Sequence, residues 1–551
     1  MRIDRTYLKT LAKEDLPHFV QQCRDFLLAS VNVSGGHLAA SLGATELTVA
    51  LHYVFDTPRD TVVWDVGHQA YVHKMLTGRA DQLHTIKQAN GLAPFPSRAE
   101  STEDAFGVGH ASTSISAALG MALAKQLDQD PTHTIAIIGD GGLTGGMAFE
   151  ALNHAGHTQA NLLVVVNDNE MSISENVGAL ANNLHADFFT ALGFVYSGII
   201  DGNDIHACVA ALQEQQHHTG PRVLHCRTRK GQGYQAAEQQ PITYHHVAAN
   251  FLENTSSQQR TTFSNLFGAW LCQQAENDER LVAITPAMCE GSDLKQFTKD
   301  FPQRYIDVGI AEPHALTLAA GLACQGKKPV VAIYSTFLQR AYDQVIHDIA
   351  LQNLDVTLAV DRAGYVGPDG PTHAGAYDMA FLRCIPNIAL LAPATGQDCH
   401  HMLQMAYAHP GPAAVRYPRG ATDQMTVTDQ HDIEWGKGKI LRTGKNTAVI
   451  NIGTMLTYAE QLATQHQATL VDLRFIKPLD IELLPHLANH HQHIITLEDG
   501  CALGGAGSAV TEALTALGYA GQITRLGHPD SFMDHAPRSQ QLQKIINRPT
   551  S

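Results

Sequence analysis

The sequence predicts an α/β protein built of parallel sheets with helices on both faces, arranged as three doubly wound domains. Three observations point there. Short, wholly apolar strand-like runs recur along the chain, glycine-rich turns follow them, and helix-like stretches separate one run from the next. A chain of 551 residues is also too long for a single hydrophobic core.

Taken in order, the runs are TVVWDVGH (61–68), TIAIIGDGG (134–142), LLVVVNDNE (162–170), KPVVAIYST (328–336), VTLAVDRAG (356–364), TAVINIGT (447–454), ATLVDLR (468–474) and HIITLED (493–499). Each is apolar along its length rather than alternating, as a strand covered on both faces requires. Two polar stretches without a clear period, 235–262 and 419–438, read as linkers and place the domains at 1–240, 260–420 and 435–551. No short-period repeat is present, which excludes a solenoid.

Composition narrows the function classes. With 44% hydrophobic and 16% charged residues the chain is globular rather than disordered. A net charge of −16 argues against nucleic-acid binding, which needs a basic face. The nine cysteines are scattered singly with no CxxC pair, which disfavours a zinc site or disulfide framework and favours the reducing cytoplasm. The first residues mix charges without an apolar region, so no signal peptide is expected, and no apolar run approaches the ~18 residues of a membrane span.

The chemistry begins at IAIIGDGGLTGG (135–146), a buried strand entering a glycine-rich loop. Such loops attract phosphate through free backbone N–H groups, yet Asp140 would repel it. A second member resolves the conflict: 27 residues separate Gly141 from Asn169, at the end of the next apolar strand. In an open parallel sheet strand C-termini meet at one crevice, so Asp140 and Asn169 can face one point. A carboxylate, an amide oxygen and a main-chain carbonyl are hard ligands suited to Mg²⁺, which shares its octahedron with phosphates. An isolated GDGG is equally a tight turn with an Asp N-cap. The spacing GDG-x(25–30)-N is the signature of thiamine-diphosphate enzymes.

From there the chain resembles the 1-deoxy-D-xylulose-5-phosphate synthase family of transketolase-like thiamine-diphosphate enzymes. The matching stretches include SGGHLAASLGATELTVALHYVF (34–55), WDVGHQAYVHKMLTGR (64–79), GVGHASTSISAALGMA (107–122), GDGGLTGGMAFEALNHAG (139–156) and NDNEMSISENVGAL (167–180). RKGQGYQAAEQQPITYHHV (229–247), DVGIAEPHALTLAAGLA (307–323), AIYSTFLQRAYDQVIHDIALQ (332–352), DRAGYVGPDGPTHAGAYD (361–378), AVRYPRG (414–420) and LEDGCALGGAGSAVTEAL (497–514) continue the set in order.

The resemblance implies a transketolase-type fold: a diphosphate-binding domain, a pyrimidine-binding domain with the coenzyme between these two, and a small C-terminal domain. It implies Mg²⁺ on Asp140, Asn169 and the main chain of Met171. Gly109, His110, Ala111, Gly141 and Gly142 would line the coenzyme, with His68 and Tyr234 nearby. Glu312 matches the glutamate that hydrogen-bonds the aminopyrimidine; read alone, it is equally an acidic residue in a helix's first turn. Phe337 would stack on the pyrimidine, with an ordinary core aromatic as the alternative. His37, His68 and His373 rise above the other histidines of this chain because each sits in a turn-rich motif, and by resemblance they handle protons near the donor carbonyl. Arg362 and Arg419 match a clamp for an aldose phosphate, with Tyr334, Arg340 and Asp369 close by; surface salt bridges are the alternative.

The implied reaction decarboxylates pyruvate and joins the two-carbon unit to D-glyceraldehyde 3-phosphate. It yields 1-deoxy-D-xylulose 5-phosphate, a precursor of isoprenoids, thiamine and pyridoxal, and a homodimer is implied as well. The alternative is a divergent acyloin synthase with another donor or acceptor. Three departures from the family pattern motivate it. ANNLHADFFTALGF (181–194) follows NVGAL where the family has a longer insertion. TIKQ (85–88) places Lys87 where an arginine helps hold the carboxylate-bearing intermediate. MCEGS (288–292) places neutral Cys289 where a cation is expected.

Overall fold

The computed structural model describes residues 2–172, 175–181, 183–253, 261–422 and 432–547. The chain divides into two compact units, one of residues 1–257 with 309–311 and one of 258–308 with 312–551.

The first unit carries strands β1 (Gly36–His37), β2 (Thr61–Trp64), β3 (Thr134–Gly139), β4 (Leu162–Asp168), β5 (Val195–Asp201), β6 (Arg222–Arg227) and β7 (His246–Val247). Five form a wholly parallel sheet in the order β2-β3-β4-β6-β5. The apolar runs show why both faces are covered. Val62, Trp64, Ile135, Ile137, Leu163 and Val165 pack into one core, while the intervening Val63, Ala136, Ile138, Val164 and Val166 pack into another. β1 and β7 pair antiparallel, so a segment read from sequence as linker is fastened to the start of the chain. That segment also holds the helix Gln235–Gln239.

The second unit carries β8 (Leu281–Thr285), β9 (Tyr305–Asp307), β10 (Lys328–Tyr334), β11 (Thr357–Asp361), β12 (Ala389–Leu391), β13 (Ala413–Arg416), β14 (Lys439–Arg442), β15 (Thr447–Ile452), β16 (Thr469–Asp472), β17 (Phe475–Lys477), β18 (His493–Cys501) and β19 (Gln522–His528). They make two sheets, β17-β12-β13-β11-β10-β8-β9 and β14-β16-β15-β18-β19. Among the described residues of these sheets, β17 and β14, each at an edge, run antiparallel to their neighbours. The chain leaves the last sheet after β16, supplies β17 to the edge of the other, and returns as β18. Two helices of this unit start on capping boxes, Thr262 with Asn265 and Thr395 with Asp398. The parts of the expected linkers at 254–260 and 423–431 lie outside the described residues.

Candidate active site

In the first unit β3 and β4 lie side by side, with Gly139 in register with Asn167, so the loops that follow them meet. Asp140 opens a short helix, Asp140–Leu143, directly after β3. Its carboxylate is buried; Asn176 Nδ2 donates to Oδ2 at 2.7 Å, while Oδ1 is buried without a hydrogen-bond partner. Burial, reinforced by the neighbouring Asp168 charge, pushes Asp140 up to about 8. Asp168 itself is held below its ordinary value: burial works against it, but His225 Nε2 lies 2.7 Å from its carboxylate and prevails. After β4 the chain turns through Glu170 at φ 63°, and the Met171 N–H donates to Asn169 Oδ1 at 3.2 Å.

Gly141 and Gly142 are required by close approach. A Cβ on Gly141 would stand 2.9 Å from the Ser172 Cβ, and one on Gly142 would stand 2.7 Å from Asp65 Oδ1. Ser112 ties the Gly109–His110–Ala111 turn to the same loop, donating from Oγ to the Gly142 carbonyl at 2.6 Å and from N to Asp65 Oδ1 at 2.8 Å. The structure therefore gathers Asp140, Gly141, Gly142 and 109–111 around one loop. A cavity of about 780 Å³ opens beside it, lined by Asn169, Met171, Arg227, Lys230 and Gln232 among others.

The donor set fits a hard cation that carries phosphate. An orphaned, buried carboxylate oxygen beside backbone-lined glycines lacks only a positive partner. Among the described residues no group of three or more His, Cys, Asp or Glu side chains makes a metal site, so any cation here takes amide, carbonyl or phosphate oxygens as well.

The same unit gathers an imidazole cluster. His37 lies 5.9 Å from His68, 5.7 Å from His245, 5.3 Å from His246 and 5.5 Å from Phe95, ring centre to ring centre. Tyr71 Oη accepts from the His37 N–H at 3.1 Å. Burial lowers His68 to about 3, with Lys230 adding to the effect, and lowers His37 well below its ordinary value, with His246 and Lys87 adding. These rings are neutral bases at physiological pH. Tyr234 packs edge-on against Tyr244 at 5.6 Å. Sequence reasoning missed His245, His246, Tyr71 and Phe95; the doubled histidine in YHHV was visible, but its distance along the chain from His37 concealed the pairing.

In the second unit Glu312 is the first residue of the helix Glu312–Cys324 and is buried. Burial raises its carboxyl, and Arg340, whose Nε donates to Oε2 at 3.0 Å, opposes the rise. Arg340, expected beside the acceptor phosphate, thus faces Glu312. Phe337 stacks on Tyr334 at 5.6 Å with 11° between planes and meets His373 edge-on at 5.6 Å. Arg362 lies 4.4 Å over the Tyr334 ring and donates to Ser264 Oγ at 2.7 Å and Asp361 Oδ2 at 2.6 Å. Arg419 pairs with Asp369. Thr372 Oγ1 lies 2.9 Å from His373 Nδ1. The second unit therefore joins Tyr334, Phe337, Arg362 and His373 in one stack and sets Glu312 with Arg340. Cys289 contacts the Tyr305 hydroxyl, and burial raises its thiol.

Comparison with known proteins shows the family. A family model described as 1-deoxy-D-xylulose-5-phosphate synthase matches residues 3–187 and 182–228, its two stretches meeting at the shortened segment after Leu180. Models for the transketolase pyrimidine-binding and C-terminal domains match 259–424 and 436–550. The 1-deoxy-D-xylulose-5-phosphate synthase of Francisella tularensis subsp. novicida strain U112 is 50% identical over 600 aligned residues, covering 98% of this chain and 98% of that one. Its counterpart in subsp. holarctica strain LVS is 51% identical over 578, covering 96% and 94%. Nothing in these matches favours the divergent acyloin synthase. The fold is transketolase-like, and the family's coenzyme is thiamine diphosphate. The chain belongs to the 1-deoxy-D-xylulose-5-phosphate synthase family.

Proposed function

We propose that this chain catalyses the decarboxylation of pyruvate and the ligation of its two-carbon unit to D-glyceraldehyde 3-phosphate, giving CO₂ and 1-deoxy-D-xylulose 5-phosphate. The observation that carries the reading is the match along 98% of the chain at 50% identity, which spans every residue assigned a role here. Thiamine diphosphate, when bound, supplies the carbon acid that adds to the donor carbonyl and accepts the electrons released as CO₂ leaves.

The residues divide the remaining work. Asp140 Oδ1, the Asn169 amide oxygen and the Met171 carbonyl hold Mg²⁺, and the cation neutralises the diphosphate. Gly141, Gly142 and Gly109–Ala111 bring backbone close to the coenzyme, with His68 and Tyr234 completing its lining. Glu312, whose carboxyl burial raises against the pull of Arg340, hydrogen-bonds the aminopyrimidine ring while Phe337 packs against that ring. His37, His68 and His373 hold or move protons at the donor carbonyl, His37 and His68 as neutral imidazoles. Lys87 meets the donor carboxylate. Arg362 and Arg419, with Tyr334 and Asp369 around them, take the acceptor phosphate, while Arg340 stays on Glu312; the Arg419–Asp369 pair opens to do so.

The same reading makes the protein a cytoplasmic homodimer acting on small molecules, with no nucleic-acid or membrane partner. In support, no helix among the described residues is long and apolar enough to cross a membrane, and the net charge is −16. Its three domains are taken as 1–240, 260–420 and 435–551. Incubation with pyruvate, glyceraldehyde 3-phosphate, thiamine diphosphate and Mg²⁺ is expected to give the deoxyxylulose phosphate by NMR. Its absence sinks the proposal.

A further inference from the structure

Beside Lys87, the wall around His37 carries two imidazoles, His245 and His246, that the reaction above leaves without a task. His246 lies directly across the β1–β7 ladder from His37, its ring edge-on at 5.3 Å. Lys87 reaches the same place from a turn with left-handed backbone, φ 64°. Its side chain is buried, and Nζ lies 2.5 Å from His246 Nε2. A buried ammonium and a non-glycine left-handed residue each cost stability, and such features persist where function holds them. Beside the pair, Nδ1 of His68 and Nδ1 of His245 are buried without hydrogen-bond partners, so this wall has donor and acceptor capacity that the protein itself does not use.

A guanidinium binds a carboxylate through two parallel N–H groups, one to each oxygen, whereas an ammonium is a point donor. Lys87 alone supplies half of such a fork. Nζ and His246 Nε2, side by side at 2.5 Å, supply both halves. A neutral imidazole carries its proton on either ring nitrogen. With Nζ donating to Nε2 the proton sits on Nδ1; a carboxylate that takes Nζ to one oxygen selects the tautomer with the proton on Nε2, which serves the other. No net proton is gained or lost.

We infer, on the basis of the reaction proposed above, that Lys87 and His246 together form the clamp for the carboxylate of the 2-oxo-acid donor, with His246 setting donor affinity. His246 is exposed at the edge of its strand, so substitution there leaves the core untouched.

The test uses oxamate, an unreactive isostere of pyruvate, titrated calorimetrically into the protein with thiamine diphosphate and Mg²⁺ present. His246→Ala is expected to weaken oxamate and to raise the KM for pyruvate roughly tenfold, the loss of one charge-assisted hydrogen bond, with the KM for glyceraldehyde 3-phosphate unchanged. Lys87→Arg added to His246→Ala restores the affinity, because a guanidinium provides both donors. Equal oxamate affinity in the wild type and His246→Ala overturns the inference, as does an equal rise in both KM values. Should the wild type make no deoxyxylulose phosphate yet lose oxamate binding on His246→Ala, the proposed reaction fails while the clamp stands.

Discussion

Asp140 concentrates the electrostatic cost of the site. Its ordinary value is 3.8, and burial with the Asp168 charge moves it to about 8 in the fold. Between those values the folded protein holds a proton that the unfolded chain has lost. Asp140 therefore contributes stability below about pH 4, and that contribution falls away as pH rises toward 8. A cation binds the carboxylate and releases the proton, so Mg²⁺ affinity should rise about tenfold per pH unit below 8. Thermal shifts by Mg²⁺ with thiamine diphosphate at pH 6, 7 and 8 read this directly; equal shifts at all three would contradict it. Asp140→Asn should abolish the ligand-induced shift and leave the metal-free protein at least as stable above neutral pH, since it removes a carboxyl that burial disfavours in its charged form. Glu312 behaves differently because Arg340 stands against it. Glu312→Gln should lower kcat by about 10²–10³ without unfolding the protein. Arg340→Met removes the opposing cation and should move the alkaline limb of the pH–rate profile upward; an unmoved limb refutes the coupling. GDGG and Asn169 were legible in the sequence because their spacing is set by one β-α-β unit. The pairing of Arg362 with Ser264 was not, since Ser264 reaches it from a helix far off in the sequence.

At the scale of elements, one buried carboxylate anchors the segment that carries Phe95. Asp104 accepts from Arg79 at 2.6 and 2.8 Å, lies 2.9 Å from His73 Nε2, and accepts from the Ser97 N–H at 2.7 Å. His73 in turn lies 2.9 Å from His52. Burial would raise Asp104, but Arg79 and His73 hold it well below its ordinary value. Its stabilising effect is present above about pH 4 and is lost only in strong acid. Asp104→Ala takes from Arg79, His73 and the Ser97 N–H the buried carboxylate they share and should cost about 3–5 kcal/mol in urea unfolding. A change below about 1 kcal/mol, the range of ordinary surface substitutions, would disprove the anchor. Strands such as β3, β4 and β10 were readable because both faces are covered and each holds an unbroken apolar run, 135–138, 162–166 and 329–333. β5 was not: it is an edge strand of mixed exposure, VYSGIID, without an apolar run. β7 has only two residues and exists through its pairing with β1, so no local signal marks it.

For the whole molecule, the alternation of strands and helices carried the fold class. Compactness was harder to see. The sequence suggests breaks at polar stretches, whereas the chain collapses into two compact units, and two sheets share the second. Two cooperative units predict that calorimetry of the metal-free protein departs from a single two-state transition, with van't Hoff enthalpy below the calorimetric value. One symmetric two-state peak would refute this. Sedimentation is expected to give twice the 59.6 kDa of the chain, and a monomer at micromolar concentration would remove the proposed homodimer.

β17 bears on how this polypeptide can be dissected. Because Phe475–Lys477 completes the edge of the neighbouring sheet at Ala389–Leu391, the C-terminal portion is no detachable module. A truncation ahead of β14 would strip β12 of its neighbour and bare a row of amide and carbonyl groups, the template on which strands from other molecules add. Such a fragment should oligomerise edge to edge, whereas a cut in the polar stretch that keeps both pieces together in solution should leave them clasped.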